Sequence, residues 1–356
     1  MDLKKVQTIL LGVLTVLALM WFLRVTYVVT MPLAASCFAA AIVWPLYRWV
    51  ARRSSWLAMP VSMAVVVVTL GVFFGAIAAA AAFAIQSAPQ YTSAFSDLIQ
   101  RAGDRLNAAG IPVNSSTIGI DGSGLPDWVT QYITFGFTSA YTLLGFLTLI
   151  FFFTSMLLME ARLWGEKTHA AFSEERAVQI VDTSRAVSQK LRQYLLTQTF
   201  ISLMSGVIEG AFMWLIGVPL AFAWGLLFFV LNFIPNLGSV LAMIPPVLIT
   251  LVTLGLWWAM VLVIGIIVIE TLMGYIIAPM WQGKNLSLSP LIVLLSVVFW
   301  GWVWGLAGAI LAVPLTVTLV IAAAHVEAVR SLALLMSNLT SKHELRLDTK
   351  AKPAAD

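Results

Sequence analysis

Two glutamates, Glu209 and Glu270, lie inside long apolar stretches of the sequence. An ionisable side chain in an apolar span costs several kcal/mol, so each is a candidate functional group. Glu270 lies one turn before Gly274 and is either functional or a structural carboxyl that hydrogen-bonds to a neighbouring helix. Glu209 ends a polar stripe whose spacing of four, four, three and four keeps its members on one helical face: Tyr194, Gln198, Ser202, Ser205 and Glu209. The pattern predicts that this stripe faces a water-filled cavity.

A break in an apolar stretch offers a second kind of chemistry. The stretch 219–254 is interrupted near its middle by the run Asn232-Phe233-Ile234-Pro235-Asn236-Leu237-Gly238. Pro235 has no amide proton and breaks the helix, which leaves carbonyl and amide groups free beside it. Together with Asn232, Asn236 and Gly238, such an unwound segment can bind a polar solute or an ion through dipoles. In the alternative interpretation, the two asparagines only cap half-helices.

A second broken stretch, 290–323, resembles the first. It is interrupted at Gly301-Trp302-Val303-Trp304-Gly305, and Gly308 follows. The segment 238–245 parallels 308–314, which is one residue shorter, and both stretches begin with Pro-Leu. Unwound backbone at membrane depth persists only beside a cavity or inside protein, so paired breaks indicate a solute path. The alternative is a coincidence of small residues in two apolar helices.

The composition places these segments in a lipid bilayer. Of 356 residues, 61% are hydrophobic and only 10% charged, and the mean hydropathy is +0.96, whereas soluble domains have roughly 25% charged residues. Apolar runs near ~20 residues recur, which is the length that crosses ~30 Å of hydrocarbon. The predicted fold is all-α: a polytopic transmembrane helical protein with about eight spans, including two broken or re-entrant segments.

The positive charges predict the orientation. Lys4 and Lys5 precede the first apolar run, and Arg48, Arg52 and Arg53 follow the second. The positive-inside rule assigns this side to the cytoplasm, and the basic tail is assigned there too. We therefore expect a multi-pass membrane protein with both termini in the cytoplasm.

The predicted organisation alternates membrane and polar segments. It consists of transmembrane helices 1–3 in 1–85, an extracytoplasmic segment in 86–130, transmembrane helix 4 in 131–159, a cytoplasmic amphipathic helix in 160–193, a transmembrane transport core in 194–323 and a cytoplasmic tail in 324–356.

Several function classes find no support in the sequence. Phosphate-binding, dinucleotide-binding, zinc-protease and nucleophile-elbow motifs are absent, and all three histidines fall outside the predicted spans. We expect no enzymatic activity, cofactor, metal centre or nucleic-acid partner. The single cysteine, Cys37, cannot form an intramolecular disulfide and is expected to be a small buried residue.

The broken segments resemble the autoinducer-2 exporter family, also called the PerM-type permeases. By topology the resemblance covers the whole chain, and by motif it covers 194–319. The matching runs are Gly217-Val218-Pro219, Trp224-Gly225-Leu226-Leu227, 232–239, Pro245-Pro246, Pro279, Gly283, Leu288-Ser289-Pro290, Phe299-Trp300-Gly301-Trp302 and 305–314.

The resemblance implies an eight-span inner-membrane exporter of small solutes that assembles as a homo-oligomer, with a pentamer expected. Some relatives are described as exporters of autoinducer-2 and others as sodium/proton antiporters. This chain departs from the family at Met273, where members often have an acidic residue before the glycine that matches Gly274. Glu270 lies one turn earlier on roughly the same face.

Three functions remain open at this point. The leading hypothesis is export of a small polar solute such as autoinducer-2 along a path lined by both breaks. The first alternative is a cation/proton antiporter that uses Glu209 and Glu270. The second is a membrane scaffold without transport, although a scaffold has no reason to keep paired breaks.

The two broken stretches can be placed in the membrane in two ways. In the first, each stretch is a long, broken helix that crosses the membrane. In the second, each is a re-entrant hairpin that returns to its own side, which places Lys284 in the cytoplasm. The family's conventional count of eight spans favours crossings.

Overall fold

Helices form nearly all of the chain that the computed structural model describes. The described residues are 3–72, 74–75, 107, 127–235, 237–282, 288–339 and 341. Most of the predicted extracytoplasmic segment, Asn236, Lys284 and the end of the tail lie outside these ranges. Apart from one isolated antiparallel bridge between Leu288 and Ser337, the described residues form helices, turns and short connections.

The helices follow the apolar runs. They are α1 Leu3–Val25, α2 Tyr27–Arg53, α3 Ser55–Val72, α4 Asp127–Ala171, α5 Glu174–Leu215, α6 Ala221–Leu231, α7 Gly238–Thr253, α8 Leu256–Leu272, α9 Ala278–Gln282, α10 Pro290–His325 and α11 Arg330–Met336. A π-helix, Met273–Ile277, joins α8 to α9, and a 3₁₀ turn, Glu327–Val329, precedes α11.

Helix length and apolarity confirm a polytopic helical membrane protein. Within the described residues, α2, α3, α5, α10 and the segment Leu256–Ile277 are each long and apolar enough to cross a bilayer. α4 supplies a sixth candidate in two parts, Gly145–Ala161 and Leu163–Ala171, which meet at a bend of 63°. The apolar helices Leu10–Val25, α6 and α7 are shorter.

The predicted cytoplasmic helix over 160–193 is not a separate element. α4 runs through residue 160 to Ala171, and α5 begins at Glu174 and continues through residue 193 to Leu215. No proline lies between 145 and 215, and α4 continues as a helix where the side chains change from apolar to polar, although it bends by 63° between Ala161 and Leu163. Composition marks the membrane boundary there, whereas the helix ends only at the turn between α4 and α5.

The chain divides into two compact units. The first comprises Met1–Val67, Phe146–Leu196 and Lys284–Asp356, and the second comprises Val68–Gly145 and Thr197–Gly283. A core of the first unit packs α10 against Tyr194 and α11, with Val313, Val317 and Val320 buried. The core of the second unit joins α5, α6, α7 and α8 through Met213, Phe228, Ala242, Leu262 and Ile266.

The first broken stretch folds back as a hairpin of α6 and α7. The two helices have 11 and 16 residues, or ~16 and ~24 Å, and neither alone crosses ~30 Å of hydrocarbon. The chain reverses over residues 232–237, and a Cβ at position 238 would overlap the carbonyl oxygen of Leu231. Phe228 and Ala242, both fully buried, lie in the same core cluster.

The second broken stretch, α10, is also a hairpin. Its backbone leaves the helical region at Trp304 (φ −126°, ψ 17°) and Gly305 (φ 62°, ψ −144°). Trp300 Nε1 then donates to Thr316 Oγ1 at 3.2 Å, although sixteen residues of unbroken helix would separate them by ~24 Å. A Cβ at Gly308 would overlap the carbonyl oxygen of Trp300, the counterpart of the contact at Gly238.

The geometry therefore agrees with the hairpin alternative rather than with the long crossing helices that the sequence analysis favoured. The reason is steric. Gly305, which has a positive φ, turns the chain within α10. Because glycine has no Cβ, Gly238 and Gly308 can lie directly against a backbone carbonyl at the end of the preceding helix. The sequence similarity between the stretches thus corresponds to the same close contact in both.

The α10 hairpin is held at its tip and at its base. At the tip, Trp304 Nε1 donates to the Leu23 carbonyl at 3.2 Å, and the Arg24 guanidinium lies 4.4 Å from the Trp302 ring centre. At the base, Ser289 N donates to Met336 O at 3.1 Å. Gln179 Nε2 donates to the carbonyl of His325 at 2.6 Å. Both ends of α10 are therefore tied to polar segments that the sequence analysis assigned to the cytoplasm.

We predict that the two ends of α10 label from the same side of the membrane. Cysteines introduced as Ser289→Cys and Val326→Cys should react with an impermeant maleimide only after permeabilisation of cells. The background is Cys37→Ala because Cys37, expected to be buried, is exposed on α2. A Glu175→Cys variant is the cytoplasmic control, and labelling of one end of α10 from outside would contradict the hairpin.

We also predict that Gly308→Ala destabilises the protein far more than Gly301→Ala. A methyl group at 308 meets backbone that cannot move aside, whereas a methyl at 301 lies 3.7 Å from the Ala309 Cβ, an ordinary contact. Overpacking typically costs about 1–3 kcal/mol, so the melting temperature of the detergent-purified Gly308→Ala protein should fall by several degrees. Equal melting temperatures for the two variants would contradict the close contact.

Candidate functional site

The polar stripe of α5 lies on one face of the helix, but that face is buried. Gln198, Ser202, Ser205 and Glu209 are all buried, and the last three have no exposed surface. The spacing of the stripe predicted a water-filled cavity along this face, and that prediction is wrong because the face is buried. Two segments hydrogen-bond to the stripe. Asn232, in the reversal after α6, bonds to Gln198, and Glu270, near the end of α8, bonds to Ser205. Periodicity identifies a face but not what covers it.

The N-terminal part of the stripe, Gln198 and Ser202, binds Asn232 at the tip of the α6–α7 hairpin. Gln198 Nε2 donates to the backbone carbonyl of Asn232 at 2.8 Å. Asn232 in turn donates from its side-chain Nδ2 to Ser202 Oγ at 3.3 Å, and Gln198 Nε2 lies 3.4 Å from the same hydroxyl. Because α6 ends at Leu231, a side chain of α5 supplies the donor that the Asn232 carbonyl would have received from a continued helix.

The C-terminal part of the stripe, Ser205 and Glu209, forms a cluster with Glu270 of α8, in which two carboxyl groups lie around one hydroxyl. Ser205 Oγ lies 3.3 Å from Glu209 Oε2 and 3.2 Å from Glu270 Oε1. Glu209 Oε1 is buried and has no hydrogen-bond partner among the described residues. Glu270 is half-buried on α8. The structure thus brings together the two ionisable groups that the sequence analysis singled out separately.

Three glycines let α5 and α6 approach closely beside Glu209. Gly206 and Gly210 flank Glu209 on α5, and a Cβ on Gly225 of α6 would lie 2.6 Å from the Gly206 carbonyl oxygen and 2.9 Å from the Gly210 Cα. The sequence analysis did not single out these residues as a packing site. The spacing of Gly206 and Gly210 is the small-xxx-small pattern of close helix pairs, so a signal was present.

A π-helical turn follows Glu270 directly. Residues Met273–Ile277 form it, and Pro279, which has no amide proton, comes two residues later. Such turns are frequent at functional sites because they widen the helix locally. Met273, directly before Gly274, is buried. Glu270, one turn earlier, supplies the carboxyl that meets Ser205.

The remaining candidate residues fall into two groups. Pro235 and Gly238 belong to the reversal between α6 and α7, where Leu237 N donates to the Pro235 carbonyl at 2.7 Å. Gly301, Gly305 and Gly308 form the reversal of α10 in the other compact unit. Among the described residues, no three His, Cys, Asp or Glu side chains are grouped so that they could hold a metal ion.

Comparison with known proteins gives one consistent result. The family model described as "AI-2E family transporter" matches residues 10–328. The AI-2 transport protein TqsA of Escherichia coli (strain K12) is 31% identical over 343 residues, which cover 94% of this chain and 96% of TqsA. A Haemophilus influenzae protein named "Putative transport protein" is 31% identical over 330 residues, which cover 88% and 91% of the two chains.

We predict that Gln198→Leu loosens the tip of the α6–α7 hairpin. The change leaves the buried Asn232 carbonyl without its side-chain donor, which typically costs about 1–3 kcal/mol. Deuterium uptake by peptides that cover 231–238 should therefore accelerate by roughly tenfold, at about 1.4 kcal/mol per factor of ten. The matched control is Gln179→Leu, which removes the donor to His325 O at the base of α10. Faster exchange near 231–238 in the control variant alone would contradict the assignment.

Proposed function

The chain belongs to the AI-2E family of transporters, and from this premise we propose that it exports a small polar solute, with autoinducer-2 or a related signal as the first candidate. The family supports transport in general. TqsA, by its name, transports AI-2, whereas the Haemophilus influenzae relative is named only for transport. The direction and the solute are part of the proposal.

The observation that carries the proposal is the hydrogen-bond network at the hairpin tip. Gln198, Ser202 and Asn232 offer amide and hydroxyl groups and a freed backbone carbonyl, all without net charge. Such a set suits an uncharged solute with several hydroxyl groups, because each donor or acceptor can exchange a protein partner for a solute partner. In this conformation the groups bind one another, so solute binding requires the hairpin tip to separate from α5.

Two further features of the chain argue against a membrane scaffold. A helix bundle that serves only as a scaffold is most stable with continuous helices and an apolar core, because each broken helix frees backbone groups that need partners. This chain instead contains two glycine-dependent reversals and a buried carboxyl oxygen without a partner among the described residues. Features of this kind cost stability and are typical of sites that bind or move something.

The proposal includes the location and assembly expected from the sequence. We place the protein in a bacterial inner membrane with both termini in the cytoplasm. We also include a homo-oligomer, with a pentamer as the first candidate. On the apolar helix α1, Leu11, Leu14 and Leu17 are each more than half exposed, a surface that lipid or a second subunit would cover. Native mass spectrometry of the detergent-purified protein would give the subunit number.

We predict that Asn232→Leu abolishes solute export but leaves membrane insertion intact. Leucine is close in size to asparagine but has no amide dipole, so the recognition groups at the hairpin tip lose one donor and one acceptor. Uptake of labelled autoinducer-2 into inside-out vesicles should fall at least tenfold. Thr253→Val is the matched polar-to-apolar control on the same hairpin, since its hydroxyl bonds only to the Ile249 carbonyl.

Two outcomes separate the parts of this proposal. Normal flux through a correctly inserted Asn232→Leu protein would exclude the hairpin tip as the solute site. Lack of flux in the wild-type protein, in vesicles where TqsA gives a signal, would exclude autoinducer-2 as the solute.

A further inference from the structure

Ser205 lies between two carboxyl groups, Glu209 and Glu270. A serine hydroxyl has one proton to donate, so Ser205 can donate to Glu209 or to Glu270 but not to both. Its oxygen nevertheless lies within hydrogen-bond distance of both carboxyl groups. The second contact is a hydrogen bond only if that carboxyl group is protonated and donates to the serine oxygen. Both contacts are hydrogen bonds when the carboxyl pair holds one proton, and this proton count is the premise of the inference below.

The burial of Glu209 supports the same count. Its side chain has no exposed surface, and Oε1 has no partner in the described part of the chain. A buried carboxylate with one oxygen unpartnered and no cation beside it carries a cost of several kcal/mol, whereas a neutral carboxylic acid carries much less. The free oxygen also gives the group a position that a proton can occupy.

In the described helices around the cluster, few other titratable groups occur. α6, α7 and α9 contain no titratable residue, and Glu270 is the only one in α8. Glu209 is the only one on α5 between 195 and 215. Tyr275 in the π-helical turn is 82% exposed. Within the described residues, no Lys, Arg or His forms an ion pair with either glutamate.

We propose that Glu209, Ser205 and Glu270 form a proton-exchange site that couples solute export to proton movement. The inference rests on the proposed transport function. When the site releases its proton, a carboxyl O–H bond breaks, the electron pair stays on the carboxylate and the proton passes to water. The remaining charge disfavours the close packing of α5 and α6 beside Glu209 and favours a hydrated conformation. Proton binding therefore favours the closed conformation, and proton release favours opening.

The first test measures protons and solute together. Proteoliposomes with a trapped pH-sensitive dye should show proton movement when labelled autoinducer-2 is transported, and the solute flux should depend on pH. Glu209→Gln should remove both the linked proton signal and the pH dependence of the flux, and Ser205→Ala should weaken them. Glu175→Gln, which changes an exposed carboxyl in the first turn of the same helix, should behave as the wild type.

A second readout does not depend on the solute. The infrared spectrum of the purified protein should contain the band of a protonated carboxylic acid that shifts in heavy water. The band should disappear in the Glu209→Gln, Glu270→Gln double variant and persist in Glu175→Gln. Ser205→Ala should shift its frequency, because the hydrogen bond to the hydroxyl is lost.

The outcomes distinguish the two proposals. Solute transport without proton movement, together with no protonated-carboxyl band, would overturn the proton site and leave the export function intact. A protonated-carboxyl band without autoinducer-2 transport would support the proton site and exclude autoinducer-2 as the solute. If sodium ions abolish the band at constant pH and a sodium gradient drives flux, the site binds a metal cation. That result would overturn the inference in favour of the cation/proton antiporter.

Discussion

Backbone polar groups in an apolar environment must find partners inside the protein, and this requirement shapes the described part of the chain. A continuous helix meets it by itself, but each break frees carbonyl groups that another element must bind. At the first reversal, Gln198 binds the freed Asn232 carbonyl. Between α1 and α2, the carbonyl of Leu23 accepts from Trp304 and from Thr30. In both places a distant part of the sequence supplies the donor, so the breaks also hold the fold together.

Glycine makes these reversals possible because it permits backbone to meet backbone. Gly238 and Gly308 each lie against a carbonyl oxygen of the preceding helix, where any side chain would overlap it. The contact between Gly225 and the pair Gly206 and Gly210 has the same character between α5 and α6. Such contacts place the polar groups of α5 within reach of the hairpin tip and of Glu270. The chemistry of the site therefore depends on residues that have no side chain.

Much of the fold could be predicted from the sequence, because the properties that define a membrane helix are local. Apolar run length located the helices, the proline and glycine runs located both breaks, and a spacing of three and four placed Gln198, Ser202, Ser205 and Glu209 on one face. The hairpins could not be predicted in the same way. A stretch of 36 residues such as α10 has the length and polarity for a tilted crossing or for a hairpin. Contacts in space, such as those of Trp300 with Gly308 and with Thr316, distinguish the two.

The burial of the polar stripe was not predictable for a related reason. Periodicity shows that Ser205 and Glu209 share a face, but the partner of that face, Glu270, is 65 residues from Ser205 in the sequence. Likewise, the exposure of Cys37 depends on how α2 packs, which its apolar neighbours do not reveal. Sequence periodicity does not show which helix faces pack together. The site depends on such packing, because the polar face of α5 meets Glu270 of α8.

On α5, the residue that binds the hairpin tip and the residue that binds the carboxyl pair lie within one helical turn of each other. Ser202 binds the side chain of Asn232 at the hairpin tip, and Ser205, three residues later, contacts both carboxyl groups. Because one buried helical face holds both sets, water that reaches the carboxyl pair also reaches the groups that hold the hairpin tip. A negative charge on Glu209 would favour such hydration, since the group has no basic partner in the described residues. The loss of one proton therefore destabilises the packing that keeps the tip closed, and a solute that binds the freed amide and carbonyl groups stabilises the open form. Coupling between proton and solute then requires no long-range pathway, only the shared face of a single helix.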